Sequence, residues 1–220
     1  AELPPTNWLK RNPFVADHLT LGDPGLYDLL LHAQDRAYRV PEILGLVTRA
    51  GLAVASFIEP ARYDPATYTR APALLKTLAP LSPAERATFA ELFAGNMKTH
   101  TLYALRPDAL AAVRVDPTRP DAVPVLRDFD GATFAKGWRA GALLAATFDG
   151  IPVRFTLPDL GGPIIARIDG HRSLTDIHAA CRQAMPNLDW PAFARAFAAL
   201  YQPMNGLNKL LIRYRRVLTK

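Results

Sequence analysis

The chain of 220 residues contains a single cysteine, Cys181, which excludes an internal disulfide framework and a cysteine-rich metal site. Charged residues, glycine or proline interrupt every apolar run, so no stretch of about 18 residues predicts a membrane span. The N-terminus, AELPPTNWLK, has no start methionine and no basic stretch followed by an apolar core. We therefore expect a soluble, cytoplasmic protein without a membrane partner, and we expect these residues to be part of a longer chain.

Motifs that bind nucleotides or metals, or that carry a nucleophile, are missing as well. The sequence contains no G-x-G-x-x-G, P-loop, H-E-x-x-H, G-x-S-x-G or C-x-x-C pattern. Its histidines are never three or four residues apart, so a helix cannot present two of them to one metal ion: they are His18, His32, His100, His171 and His178. We therefore predict no metal site and no cofactor held by this chain alone, and the sequence assigns no catalytic residue.

Positive charge is concentrated in the second half of the chain. Residues 1–110 carry eleven Lys and Arg against eleven Asp and Glu, whereas residues 111–220 carry fifteen against nine. The whole net charge of +6 therefore falls in the second half. Such a surface can attract an acidic protein, nucleic acid or an anionic ligand, but an ordinary solvated surface gives the same count.

Proline and aspartate predict a linker in the middle of the chain. The stretch RPDALAAVRVDPTRPDAVPVLRDFDG has four prolines and five aspartates without sustained apolar periodicity. We therefore predict a first domain over 1–107, a linker over 108–130 and a second domain over 131–220. The predicted fold class is α+β and mainly helical.

The first domain shows the order helix, strand, helix, strand. Pro41 and Gly51 bound the first helix, since proline is favoured in the first turn and glycine closes the last. The apolar run LAVASFI then predicts a buried strand. A capping box of Ser82 and Glu85 begins the second helix, and the alternating KTHTLYAL predicts the second strand. The predicted core stripe of the second helix is Phe89, Leu92 and Phe93.

The second domain is predicted to combine short helices with peripheral strands. A helix is expected over 132–147, followed by the alternating strand PVRFTL. Gly161 starts a short helix, and a capping box of Ser173 and Asp176 starts the next. Asp189 caps a longer helix that carries Phe193, Phe197, Leu200 and Tyr201, and KLLIRY predicts a closing strand. This order favours a winged-helix-like module.

A polar cluster, HAQDRAY, lies just ahead of the first predicted helix. A local hydrogen bond from His32 to Asp35 would fix the imidazole tautomer, and Arg36 can bind a carboxylate with two hydrogen bonds. These residues and Tyr38 are therefore candidates for substrate binding. Alternatively, Asp35 and Arg36 brace the loop while Tyr38 packs its ring.

Asn7 and Trp8 form a second candidate pair. They belong to TNWLKRNPFVADH, whose amide, aromatic and basic side chains are of the kinds that line a pocket. Alternatively, Trp8 is part of the apolar face of a short helix on the core, together with Leu9, Phe14 and Val15.

These segments resemble the tail of a class I S-adenosylmethionine-dependent methyltransferase. In that family the Rossmann-like domain ends with helix, glycine, strand, loop, helix and a final antiparallel strand. YRVPEILGLVTRAGLAVASFIEP resembles the penultimate step, with Leu52 where phenylalanine is usual, and AGNMKTHTLYALRP resembles the terminal strand. Two further segments are similar to bacterial methyltransferases that have a regulatory region and a C-terminal domain, a layout seen in some protein lysine methyltransferases. These segments are LPPTNWLKRNPFVADH and YDLLLHAQDRAYRVPE. RIDGHRSLTDIHAAC is similar to small winged-helix modules.

The resemblance implies a C-terminal methyltransferase fragment that is not catalytic alone. The family's cofactor is held by a glycine-rich turn and an acidic residue, and this sequence has neither. S-adenosylmethionine is then expected only in the intact enzyme, and the expected partners are the missing N-terminal half and either a protein substrate or a second copy. The alternative is a non-enzymatic, winged-helix-like binding module for an acidic protein or nucleic acid. Base-specific recognition of nucleic acid is not expected, because the last helix offers only Arg195 and Gln202 at its end.

Overall fold

The structure, a computed structural model, describes residues 4, 7, 20–31, 33, 34, 36–113 and 115–214. Contacts between Cα atoms divide the chain into two units, residues 1–39 and 40–220. The predicted α+β class is confirmed, since 45% of the structure is helical, 16% is strand and the sheets are small and antiparallel. The separate domains predicted over 1–107 and 131–220 stay a prediction. Within the described ranges, no helix is both long and apolar enough to cross a membrane.

Residues 1–39 include helix α1 (Gly22–Leu30). Gly22 begins it with a positive φ of 62°, a conformation that glycine adopts without steric cost. The Leu31 N–H donates to the Tyr27 carbonyl oxygen at 2.8 Å and closes the last turn.

The second unit begins with helices that surround one pair of strands. Gly51 ends the first helix in the left-handed conformation, and the predicted capping box of Ser82 and Glu85 begins the longest helix of this segment. The two strands pair antiparallel from Ala53 opposite Leu105 to Phe57 opposite Leu102, with a bulge at Ala55. The elements are α2 (Val40–Arg49), β1 (Ala53–Phe57), the 3₁₀ helices Pro60–Tyr63 and Pro65–Thr67, α3 (Pro72–Leu78), α4 (Pro83–Ala94) and β2 (Leu102–Leu105).

The rest of the second unit contains two further antiparallel pairs, β3 with β6 and β4 with β5. The turn between β4 and β5 has positive φ angles at Asp149 and Gly150, as a tight hairpin requires. The elements are the 3₁₀ helices Pro107–Ala109 and Ala111–Val113, β3 (Ala122–Leu126), α5 (Gly131–Lys136), β4 (Leu143–Phe148), β5 (Ile151–Thr156), α6 (Gly161–Ile165), α7 (Leu174–Arg182), α8 (Trp190–Gly206) and β6 (Leu210–Tyr214).

The main core forms around helix α8. Phe193, Phe197 and Leu200 recur at helical spacing and are fully buried, as are Ile164 of α6 and Ile177 of α7. Burying each such side chain stabilises the fold by about 1.5–3 kcal/mol. The three helices and the β3–β6 pair therefore share one apolar interior.

The helix predicted over 132–147 is wrong beyond its first turns. Helix α5 ends at Lys136, and the chain then turns at Gly141, which has a φ of 72°. Residues 143–148 form strand β4 instead, because their pairing with β5 through a tight hairpin outweighs the helical preference of leucine and alanine.

Strand β3 was missed, since it lies inside the stretch predicted as a linker. Ala122 and Val123 are fully buried, and β3 pairs with β6 along its whole length. The surrounding prolines and aspartates obscured an apolar run of only five residues.

The predicted core stripe of α4 is also wrong. Its buried residues are Ala87 and Ala90, while Leu92 is 59% and Phe93 49% exposed. Small side chains occupy the buried face of α4, because this helix packs closely on α2 and on the 3₁₀ helix Pro60–Tyr63. The strand predicted over 98–105 shortens to Leu102–Leu105.

Replacing Gly131 by alanine should destabilise the second unit by about 2 kcal/mol or more, as overpacking of a tight contact does. A Cβ atom at this position would overlap the carbonyl oxygen of Ile165, which is backbone and cannot rotate away. Gly45→Ala is the control, because its Cβ would meet only the mobile end of Arg49 at 3.3 Å and alanine favours the helix by about 0.5–1 kcal/mol. Urea unfolding of both variants tests the contrast, and a Gly131→Ala variant as stable as the parent would contradict it.

Candidate functional site

Three of the six residues predicted to bind substrate are among those described. His32, Asp35 and Trp8 lie outside the described residues. The Arg36 guanidinium carbon lies 4.8 Å from the centre of the Tyr38 ring, in the range of a cation–π interaction. Tyr38 is 42% exposed, and the Asn7 N–H donates to the Pro4 carbonyl oxygen. The structure therefore joins Arg36 to Tyr38, and the substrate-binding role of all six residues stays a prediction.

One buried and two partly buried residues of the second unit form a continuous hydrogen-bonded chain. The Tyr63 hydroxyl lies 2.9 Å from Nδ1 of His100, and Nε2 of His100 lies 3.2 Å from Oε1 of Glu91. In the tautomer that carries its proton on Nε2, the imidazole donates to the Glu91 carboxylate, which only accepts, and accepts from the Tyr63 hydroxyl at Nδ1. The second Glu91 oxygen, Oε2, accepts from the Val40 N–H at 3.0 Å. We call Tyr63, His100 and Glu91 the Tyr–His–Glu chain.

The Tyr–His–Glu chain is assembled from three separate elements. Tyr63 ends the 3₁₀ helix Pro60–Tyr63, Glu91 lies on the same face of α4 as Ala87, and His100 precedes β2. The Phe57 ring, at the end of β1, stacks on Tyr63 with 4.1 Å between ring centres. The side chains of His100 and Glu91 are only 7% and 12% exposed. The chain is therefore a tertiary feature that local sequence patterns do not reveal.

The electrostatics of this chain favour a fixed proton on tyrosine. Burial raises the pKa of Tyr63 to about 12, and this effect outweighs the opposing field of the neighbouring Arg62. At neutral pH the hydroxyl is therefore a hydrogen-bond donor rather than a base. The order tyrosine, histidine, carboxylate has the connectivity of a proton relay. Here the hydrogen bonds mainly connect three elements of the fold, and Glu91 also binds the first N–H of α2.

An apolar groove of about 560 Å³ lies beside this chain, within the size range of ligand pockets. Tyr63 and Phe57 contribute to its wall, and Asp64 and Arg86 form an ion pair of 2.8 Å there. The remaining wall is mostly apolar and includes Leu44, Ala53, Val54, Ala55, Pro83, Ala84 and Ala87. One side of β1 is therefore accessible, through this groove, to a ligand or a protein segment.

Arg62, which precedes Tyr63, holds the β4–β5 hairpin. Its guanidinium donates to the carboxylates of Glu59 and Asp149, and it lies 5.0 Å from the centre of the Phe148 ring. The Asn96 amide donates to the Asp149 carbonyl oxygen. Burial lowers the pKa of Arg62, but the two carboxylates together raise it by more than burial lowers it, so the net shift of the pKa is upward. Adjacent residues of one 3₁₀ helix thus serve two different networks.

A metal centre has no support in the part of the chain that the structure describes, because no three His, Cys, Asp or Glu residues cluster there. The single cysteine, Cys181, is buried in the main core, and burial raises the pKa of its thiol. The described His, Cys, Asp and Glu residues therefore do not indicate metal chemistry, and the buried Cys181 thiol does not indicate a reaction type.

No protein-family model matches the chain, and no curated protein sequence matches it. Function is therefore inferred from the fold and from the geometry of these sites. Local sequence patterns do not connect His100 to Tyr63 or Glu91, since these partners lie 37 and 9 residues away from it.

The free energy of unfolding should fall as pH rises from 10 to 12, partly because of Tyr63. Its folded pKa of about 12 exceeds the ordinary value of 10.0, so the folded state keeps a proton that the unfolded state loses. Tyr63 should contribute roughly 2 kcal/mol to this loss, and Tyr63→Phe should reduce the loss by that amount. Urea unfolding at about pH 9.5 and about pH 11.5 measures it.

Tyr103→Phe is the matched control, because Tyr103 of β2 is 61% exposed. The Tyr63→Phe variant should lose less stability over this pH range than the Tyr103→Phe variant. Equal pH dependence in the parent and in the Tyr63→Phe variant would show that the buried hydroxyl does not hold its proton as inferred.

Proposed function

We propose that the chain is the C-terminal part of a bacterial class I S-adenosylmethionine-dependent methyltransferase, where it supplies substrate-side and regulatory surfaces. The observation that carries the proposal is the order α2, Gly51, β1, then α4 and β2, with β2 antiparallel to β1. That order is the one expected at the end of the family's Rossmann-like sheet. The chain then has the role of completing a sheet and its acceptor side, rather than of binding the methyl donor.

The β1–β2 pair has the properties of a piece of a larger sheet. Among the described residues these strands pair only with each other, and a two-stranded sheet is marginally stable alone. All five residues of β1 are partly exposed, including the apolar Val54 and Phe57. An outer strand edge presents unpaired N–H and C=O groups that another strand can satisfy. These features support a sheet that continues with strands from the N-terminal half of the enzyme.

Methyl donor binding is assigned to that other half. A glycine-rich turn lets the backbone approach the cofactor, and an acidic residue accepts from its ribose hydroxyl. The sequence contains no such turn, and the groove beside β1 offers one ion pair in a largely apolar wall. The intact enzyme would therefore bind S-adenosylmethionine, and this part would bind none by itself.

The acceptor side is assigned to residues 1–39. The candidates there are His32, Asp35, Arg36, Tyr38, Asn7 and Trp8, which supply hydrogen bonds, a cation and aromatic faces. Their segment leads directly into Val40, whose N–H is held by Glu91 of the Tyr–His–Glu chain. The Tyr–His–Glu chain thus fixes the first residue of α2, to which the predicted substrate segment is joined along the sequence.

The C-terminal region, with its helices α6, α7 and α8, is assigned a winged-helix-like role in regulation or partner binding. These helices enclose one core with the β3–β6 pair, and the β4–β5 hairpin packs on a smaller cluster of Ala61, Phe148, Val153 and Leu207. The excess positive charge of residues 111–220 favours an acidic protein as partner, and it also supports the second candidate function, a non-enzymatic binding module.

Calorimetry with S-adenosylmethionine tests the donor assignment. The 220 residues should give no binding heat, because they have no turn that can cradle the donor. The complete gene product should bind the donor under the same conditions. Saturable binding by the 220 residues alone would overturn the assignment of the donor site to the other half, and no binding by the complete gene product would favour the non-enzymatic binding module.

Kinetics of the complete gene product test the acceptor side. Arg36→Ala should raise KM for the methyl acceptor by about tenfold, since it removes one charge-assisted contact. The affinity for S-adenosylmethionine should stay unchanged. Arg49→Ala is the matched control, because Arg49 is exposed at the end of α2. An unchanged KM in Arg36→Ala would remove Arg36 from the acceptor site.

A further inference from the structure

A second cavity, of about 550 Å³, lies between the segment 60–70, the end of β5 and the C-terminal half of α8. We call it the α8 cleft. Gly206 of α8 lets the helix approach this segment closely, since a Cβ atom on it would lie 3.0 Å from the Cβ of Ala61. Phe155 and Tyr201 give the cleft an aromatic wall, and both residues are partly exposed. The volume is in the range of small-molecule sites.

Arg70 carries the positive charge of the cleft wall, and two backbone carbonyl groups hold its side chain in place. The guanidinium donates to the carbonyl oxygen of Ala66 at 2.7 Å and to that of Arg154, in β5, at 3.3 Å. These neutral acceptors use only some of the N–H groups of a guanidinium and leave its charge uncompensated. Although Arg70 is exposed to solvent, its side chain is therefore already oriented before a ligand binds.

No carboxylate of a described residue forms an ion pair with Arg70. The carboxylate in the cleft wall, Asp64, pairs with Arg86 at 2.8 Å and also accepts from the Ala66 N–H at 3.1 Å. The charge of Asp64 is thus already balanced by a cation that does not line the cleft. The positive charge of Arg70 remains, and it favours a ligand with one negative charge.

Hydroxyl groups add neutral donors to the same wall. The Tyr201 hydroxyl makes no hydrogen bond to any described residue, and burial raises its pKa to about 12, so it keeps its proton at neutral pH. Thr67 and Thr156 also line the cleft, and their hydroxyls are likewise not hydrogen-bonded to the described part of the protein. The oxygen atoms of an anion can accept from groups of this kind as well as from Arg70.

We propose that the α8 cleft binds a small carboxylic acid with an aromatic stem, in its ionised form. Arg70 donates charge-assisted hydrogen bonds to the carboxylate, for which a planar guanidinium is well matched. The rings of Phe155 and Tyr201 contact the stem, and the wall hydroxyls supply further donors. This site is separate from methyl transfer, so the calorimetric test with S-adenosylmethionine does not affect it.

Calorimetry with four probes tests the ligand class. Phenylpropionate should bind with a Kd on the order of 1 mM, as expected for so small a ligand in an open cleft. Phenylpropanol and phenylpropylammonium share its stem and should bind at least about tenfold more weakly, because they lack the negative charge. Inorganic phosphate should also bind more weakly, since it offers the aromatic wall no stem. No saturable binding of phenylpropionate, or equal binding of any other probe, would overturn the proposal.

Variants that remove one positive charge locate the site. Arg70→Gln should weaken phenylpropionate binding by about tenfold, because it removes the charged donor while keeping a side chain of similar length. Arg182→Gln is the matched control. Arg182 is also exposed and also donates to a backbone carbonyl oxygen, that of Pro186 at 3.4 Å, but it lies on α7 and does not line the cleft. It should leave the affinity unchanged.

Circular dichroism verifies that both variants fold. Unchanged affinity for phenylpropionate in Arg70→Gln, or an equal loss in Arg182→Gln, would show that Arg70 does not bind the carboxylate and would overturn the proposal.

Discussion

Burial of one face of α8 is the constraint on which the second unit depends. Phe193, Phe197 and Leu200 have no exposed surface, and the helix reaches from the main core to the 3₁₀ helix Pro60–Tyr63 through Gly206 and Ala61. The same helix therefore closes the core with one side and lines a cleft with another. Loss of a buried phenylalanine costs about 3–5 kcal/mol, which is a large part of the stability of an ordinary domain.

Polar contacts then fix the relative orientation of elements that apolar packing alone leaves undetermined. Apolar packing is non-directional, whereas the hydrogen bonds from Tyr63 through His100 to Glu91 fix the relative orientation of three elements. Glu91 uses both carboxylate oxygens, one for His100 and one for the first N–H of α2. Such a fully satisfied buried network favours one arrangement of α2, α4 and β2 over its alternatives.

Much of the local structure was predictable from short patterns. The capping boxes at Ser82 and Ser173, the Asp189 cap and Gly51 mark helix ends through contacts within three residues, so the sequence alone locates them. Strands β3 and β4 were not predictable in this way. The partner of β3 lies about 88 residues away along the chain. The partner of β4 is the adjacent strand of a hairpin, but the sequence of β4 also fits a helical pattern.

The candidate sites follow the same division. Arg36 and Tyr38 are two residues apart, and their proximity was evident from the sequence. The Tyr–His–Glu chain joins residues up to 37 positions apart, and a cavity beside α8 joins the segment 60–70 to residues near 200. Both arise only when the tertiary fold brings distant elements together, so no local sequence pattern indicates them.

The order of Arg62 and Tyr63 along a single 3₁₀ turn has a mechanical consequence. Arg62 grips the hairpin through Asp149, and both side chains of this pair are only 17% exposed, so dissolved salt screens the attraction weakly. Tyr63, the next residue, is bonded to His100. The hairpin tip and the imidazole ring are therefore anchored to adjacent residues of one short 3₁₀ turn, so displacing this turn strains both contacts together.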